Sequence, residues 1–140
     1  MKTKGFTLVE LLVVIAILAI LATVSVVGYT SFIDRANQSN SDTEAHQIES
    51  AIESYTIAGQ VYELGTVSGT TYYVVADKGV CTATTANNVT TYTAITAAVS
   101  FAKTDLNEDL AGLTGTLKAD SAKTLTYTYS EGITTTITLD

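Results

Sequence analysis

Between Lys4 and Asp34 the chain carries a single charged side chain, Glu10, within the run "GFTLVELLVVIAILAILATVSVVGYTSFI". The 28 residues from Phe6 to Ile33 would extend ~42 Å as a helix at ~1.5 Å per residue. A bilayer core of ~30 Å is crossed with length to spare. This feature constrains the fold most, because such a segment must lie in lipid or against other apolar surfaces. It also makes Glu10 conspicuous. A carboxylate in hydrocarbon costs a few kcal/mol or more, so an acidic residue there suggests function by default. The plain alternative is a side chain near the end of the span that snorkels to the headgroups.

The run follows a basic start, Met1-Lys2-Thr3-Lys4, as in a secretory signal. No A-x-A cleavage site follows it, since Ala19-Ile20-Leu21-Ala22 has the wrong spacing and sits deep within the run. Two positive charges before the span would hold its start on the cytoplasmic side and send the rest outward.

Fourteen acidic residues against seven basic give a net charge of −7, which argues against binding nucleic-acid backbones as the main activity. One cysteine, Cys81, excludes an intrachain disulfide, and with one histidine, His46, it supplies no recognisable zinc site. No G-x-S-x-G, phosphate-binding glycine loop or histidine cluster is present, so no enzymatic activity and no cofactor are expected. The rival of another class is an enzyme tethered by an uncleaved signal anchor.

The segment "KGFTLVELLVVIAILAILA" resembles the class III signal and first helix of type IV pilins and their relatives. In that family a short basic leader ends in Gly, Phe follows, and a Glu stands fifth after the cut. Gly5, Phe6 and Glu10 match, with Thr7, Leu8 and Val9 as the usual filling. The resemblance covers about the first 35 residues. It implies cleavage between Gly5 and Phe6 by a prepilin peptidase, methylation of the new Phe6 amine, and retention of the apolar segment. It further implies that Glu10 faces the Phe6 amine of a neighbouring subunit in a homo-oligomeric helical filament built by a pilus assembly machinery. A carboxylate and an ammonium attract far more strongly at low dielectric than in water, and a subunit docked at the wrong height would leave both unpaired. The pair can therefore set axial register. Before assembly the chain would be a single-pass protein of the cytoplasmic membrane with its head outward; afterwards it would be part of an extracellular fibre. Two departures from the family stand out: the proline that many pilins carry near Val27 is missing, with Gly28 the nearest soft point, and so is the C-terminal cysteine pair.

Beyond Ile33 the residues Ala45, Ile48, Ile52 and Tyr55 recur at spacings of three, four and three, the stripe of an amphipathic helix. Gly59 suits its C′ position. A helix from Phe6 to about Ala58, or a span and a second helix broken within "NQSNSD", both satisfy this pattern. The later chain is rich in Thr and Tyr and reads as strands, with turns at Asp77-Lys78-Gly79 and Ser130-Glu131-Gly132. Between them, Leu106, Leu110 and Leu113 fit one helical face with Thr104 as its cap. The expected fold is α+β and pilin-like, a long N-terminal helix packed under a small antiparallel β-sheet head. Its expected divisions are a leader over 1–5, a transmembrane or filament-core half over 6–33, an amphipathic half over 34–58 and a β-rich head over 59–140.

Three head features point elsewhere. Asp105, Asn107 and Asp109 have the one-three-five spacing of a calcium loop, but Leu110 stands where the loop needs Gly and Thr116 where it needs Glu, so a solvated surface is the better account. Asn88-Val89-Thr90 fits a glycosylation sequon that chance also supplies. His46 lies on a polar stretch and is expected to be simply exposed.

Overall fold

The computed structural model describes residues 5–140, so the expected leader lies outside the described residues apart from Gly5. One α-helix, α1 (Leu8–Ile57), runs unbroken through both Gly28 and the "NQSNSD" segment. It begins at Leu8 rather than Phe6 because Thr7 serves as its cap, as its hydrogen bonds below establish. The chain divides into two compact units at Ala36 and Asn37.

In the first unit every side chain from Gly5 to Arg35 is exposed within the chain. The helix is long and apolar enough to cross a membrane by length and composition. Three of its hydroxyls are turned back onto the helix. Thr23, Ser25 and Thr30 donate to the carbonyls of Ile20, Leu21 and Val27 at 2.7, 2.8 and 3.0 Å. That satisfies donors which would otherwise be costly in hydrocarbon.

The second unit starts with the last turns of α1. Ser41, Ala45, Ile48 and Ile52 are buried, one side of the helix at helical spacing. Tyr55, expected to extend that stripe, is still 41% exposed and packs its ring against Tyr62 at 5.2 Å. The helix ends as the glycine predicts. Gly59 has φ +71°, its N–H donates to Thr56, and the N–H of Gln60 donates to Tyr55, the paired bonds of a Schellman motif.

Two four-stranded antiparallel sheets follow, each a simple meander. The first comprises β1 (Tyr62–Val67), β2 (Thr70–Val75), β3 (Gly79–Ala86) and β4 (Val89–Ala94), paired in that order. The second comprises β5 (Val99–Phe101), β6 (Thr116–Ala119), β7 (Thr124–Ser130) and β8 (Ile133–Thr138), again in chain order. The fold is therefore α+β as expected, with the β-structure shared between two sheets. Both are closed by the turns anticipated at Asp77-Lys78-Gly79 and Glu131-Gly132. Tyr62, Leu64, Val74 and Val80 from the first sheet and Leu117, Leu125, Tyr127 and Ile137 from the second meet Ile48 and Ile52 in one core. A backbone bond joins the sheets, Val80 N–H to the Ala122 carbonyl at 2.7 Å.

The expected helix around Leu106, Leu110 and Leu113 does not form. All three leucines are buried, but only Glu108–Leu110 is helical, as a single 3-10 turn capped by Asn107 rather than Thr104. The competing demand comes from β1. Thr66 N–H donates to the Asp105 carbonyl and Asn107 N–H donates to the Leu64 carbonyl, so residues 105–107 lie along the outer edge of β1. The Asp105 carbonyl is then no longer free for a helical first turn, and the helix shrinks to the turn after Asn107.

Candidate functional site at the start of the apolar helix

Glu10 occupies the first turn of α1, where its carboxylate meets the positive end of the helix dipole. It accepts the backbone N–H of Thr7 at 3.0 Å, while the Thr7 hydroxyl accepts the N–H of Glu10 at 3.2 Å. This is a reciprocal capping box, two orphan amides satisfied by side chains three residues apart. Gly5 and Phe6 immediately precede it in the chain, and the Phe6 ring is 91% exposed. The Gly5–Phe6 bond, the cap and the lone carboxylate thus fall within six consecutive residues, followed by the apolar helix. The capping role was missed in the sequence, although Thr7-Leu8-Val9-Glu10 is the T-x-x-E signature of such a box.

The other candidates are placed elsewhere and have local work to do. The Asp105 carboxylate accepts the N–H of Ala102 at 2.9 Å. Asn107 donates to the Glu63 carbonyl at 2.8 Å, and its side-chain oxygen faces the N–H of Asp109 at 3.4 Å. Among the described residues no group of three or more His, Cys, Asp or Glu side chains is arranged to hold a metal ion. His46 is exposed and lies 3.4 Å from Glu49. Asn88 sits in the two-residue turn between β3 and β4, where Asn87 and Asn88 have φ of 52° and 61°.

A second polar cluster, invisible in the sequence, fastens α1 to the second sheet. Glu44 accepts the Thr114 N–H at 3.1 Å, the Thr114 hydroxyl at 2.8 Å and the Tyr127 hydroxyl. Tyr127 in turn accepts the N–H of Gly115 at 2.8 Å. Burial pulls the Glu44 carboxyl upward, but the bonds from Tyr127 and Thr114, helped by Lys103, outweigh it and leave the group below its ordinary range. Burial, and then the bond to Glu44, raises the Tyr127 phenol.

A carboxyl depressed on folding stabilises above its unfolded pKa of ~4.3, and that contribution is lost as pH falls through the folded value. Thermal melts of the detergent-solubilised chain between pH 7 and pH 3 should therefore show a steeper acid loss in the wild type than in Glu44→Gln. Asp120, also held low, by its bond from Thr126, contributes the same slope to both. Parallel curves would show that Glu44 is not the group responsible.

Residues 1–26 match the family model of the prokaryotic N-terminal methylation motif. Searches of curated proteins and of solved structures gave no match. The chain carries the class III signal that is the hallmark of type IV pilin-like prepilins. The motif supports a type IV pilin-like prepilin or pseudopilin and does not distinguish between them. That signal implies processing by a prepilin peptidase and assembly into a pilus-like filament, and with the apolar helix it fits membrane anchoring beforehand.

Proposed function

We propose that this chain is the major structural subunit of a type IV pilus. The observation that carries the reading is the apolar helix, exposed from Leu8 to Arg35, with one carboxylate in its first turn directly after a Gly–Phe junction. A side-chain surface of that kind is stable in lipid or against other apolar surfaces, copies of itself among them. In this reading the peptidase hydrolyses the amide between Gly5 and Phe6, and the freed Phe6 amine is methylated. Removal of Lys2 and Lys4 with the leader leaves 135 residues with five basic and fourteen acidic side chains, a net −9. The mature span moves from lipid into the filament core, from one apolar surrounding to another, so extraction does not have to overcome the hydrophobic effect. The Glu10 carboxylate pairs with the Phe6 amine of the next subunit and fixes axial register. A secretion or competence pseudopilin is the alternative reading, since it would carry the same N-terminal motif.

The test is intact-mass and N-terminal analysis of protein sheared from its native cells. A chain that begins at methylated Phe6, and that forms the bulk of a sedimentable filament, is the expected result. A chain that begins at Met1 and stays in membranes would leave only a signal anchor. A processed chain present as a trace component of short fibres would point to the pseudopilin instead.

A further inference from the structure

From Gly79 to Ala102 the chain has no charged side chain. This stands out in a unit, residues 37–140, that carries twelve acidic and four basic residues. Two features are built from that stretch. One is the distal part of the β3–β4 hairpin, where residues 84–91 are exposed on both faces. Its base is held firmly, with Tyr92 edge-on to Tyr73 at 5.6 Å and the Tyr92 carbonyl accepting the Lys78 ammonium at 2.9 Å. Beyond the base only a ladder remains, from Thr85 and Thr90 with hydroxyls 3.0 Å apart to the pair Ala86–Val89 at the tip. Val89 is 63% exposed there. A two-stranded ribbon with no buried face is marginal in water.

The other feature is a groove of about 310 Å³ at the foot of the same hairpin. Tyr72, Thr82, Thr93, Ile95, Ala97 and Val99 line it, without a charge. The tip cannot enter its own groove, because Ala86 stands four residues beyond Thr82, ~13 Å along the strand.

We propose that the hairpin tip of one copy, with Val89 as its knob, docks in the Tyr72–Val99 groove of the next copy. The occupant is a second copy of this chain for two reasons. Heads of net −8 repel wherever their acidic surfaces meet, and both tip and groove are free of that penalty. Knob and groove are also different patches of one surface, so the contact is heterologous and propagates from copy to copy, into an open helical polymer where the rotation does not close. The inference rests on the filament reading and adds to it a contact between heads, distinct from the packing of the spans.

The test pairs Val89→Cys with Ala97→Cys, both exposed positions, in the otherwise native chain, where Cys81 is fully buried and left in place. Sheared filaments are oxidised mildly and run without reductant. The double variant is expected to give a ladder of cross-linked oligomers that each single variant lacks. Filaments of the double variant that stay monomeric would overturn the contact while leaving the filament intact. Dimers from Val89→Cys alone would also overturn it, since tips would then meet tips. A wild-type chain that never leaves the membrane fraction would remove the filament reading itself, and the contact with it.

Discussion

Glu10→Ala is expected to leave membrane insertion and cleavage nearly unchanged while lowering the yield of sheared filament at least tenfold. The span remains as apolar as before, so insertion has no reason to fail. What is lost, on the proposed reading, is a charge that once desolvated needs a partner and would find it in a correctly placed neighbour. The capping box complicates this variant, since the carboxylate also accepts the Thr7 amide. Removing a carboxylate from the first turn of a helix costs ~0.3–1 kcal/mol of helix stability. Glu10→Gln separates the two roles, because glutamine serves in a capping box as well as glutamate does. Loss of filaments in Glu10→Gln as severe as in Glu10→Ala would assign the effect to the charge. Normal filaments from Glu10→Gln would assign it to the helix terminus, and the register pair would be abandoned.

Gly79→Ala is expected to lower the melting temperature of the head by ~12–40 °C, equivalent to about 3–5 kcal/mol at ~4–8 °C per kcal/mol. Two effects combine. Gly79 has φ +79°, a conformation that costs other residues about 1–3 kcal/mol. A Cβ at that position would also lie 1.9 Å from the Ala122 carbonyl oxygen, the atom that binds Val80 N–H and joins the two sheets. Backbone cannot yield there without opening the joint. Gly69→Ala is the matching control, since Gly69 has φ +84° but open space around its Cβ position. Melts of the two variants that fall equally would show that the sheet-to-sheet contact contributes nothing beyond backbone strain.

Much of this was written locally in the chain and could be read there. The apolar run, the Ala45–Ile48–Ile52 stripe and the Gly59 terminator act over one or two helical turns, and the hairpin turns act over four residues. Each is a short-range signal with its own period or turn chemistry. What escaped reading depends on partners far away in sequence. Leu106, Leu110 and Leu113 have a helical spacing, yet the edge of β1 takes the backbone of residues 105–107 first. Glu44 and Tyr127 meet across 83 positions, and no pattern in either segment announces the other. The candidate site divides in the same way. Gly5, Phe6 and Glu10 stand together as a motif, whereas the groove beside Tyr72 exists only because β2, β3 and β4 bring it together with the start of β5. The cap at Thr7 is local as well, since Thr7 and Glu10 stand three residues apart.

The meander order of the two sheets bears on how the head is made. Each strand pairs with its immediate successor or predecessor within its sheet, so most of the ladders close short loops. Low sequence separation between contacts goes with fast folding. All four strands of the first sheet lie between Tyr62 and Ala94, before the first residue of β5. A chain delivered across a membrane from its N-terminus therefore presents one complete sheet before the second has begun to emerge. With a single buried cysteine there is no pairing of thiols to wait for. The head is suited to reach its final form during delivery, so that subunits arrive at a growing polymer already shaped.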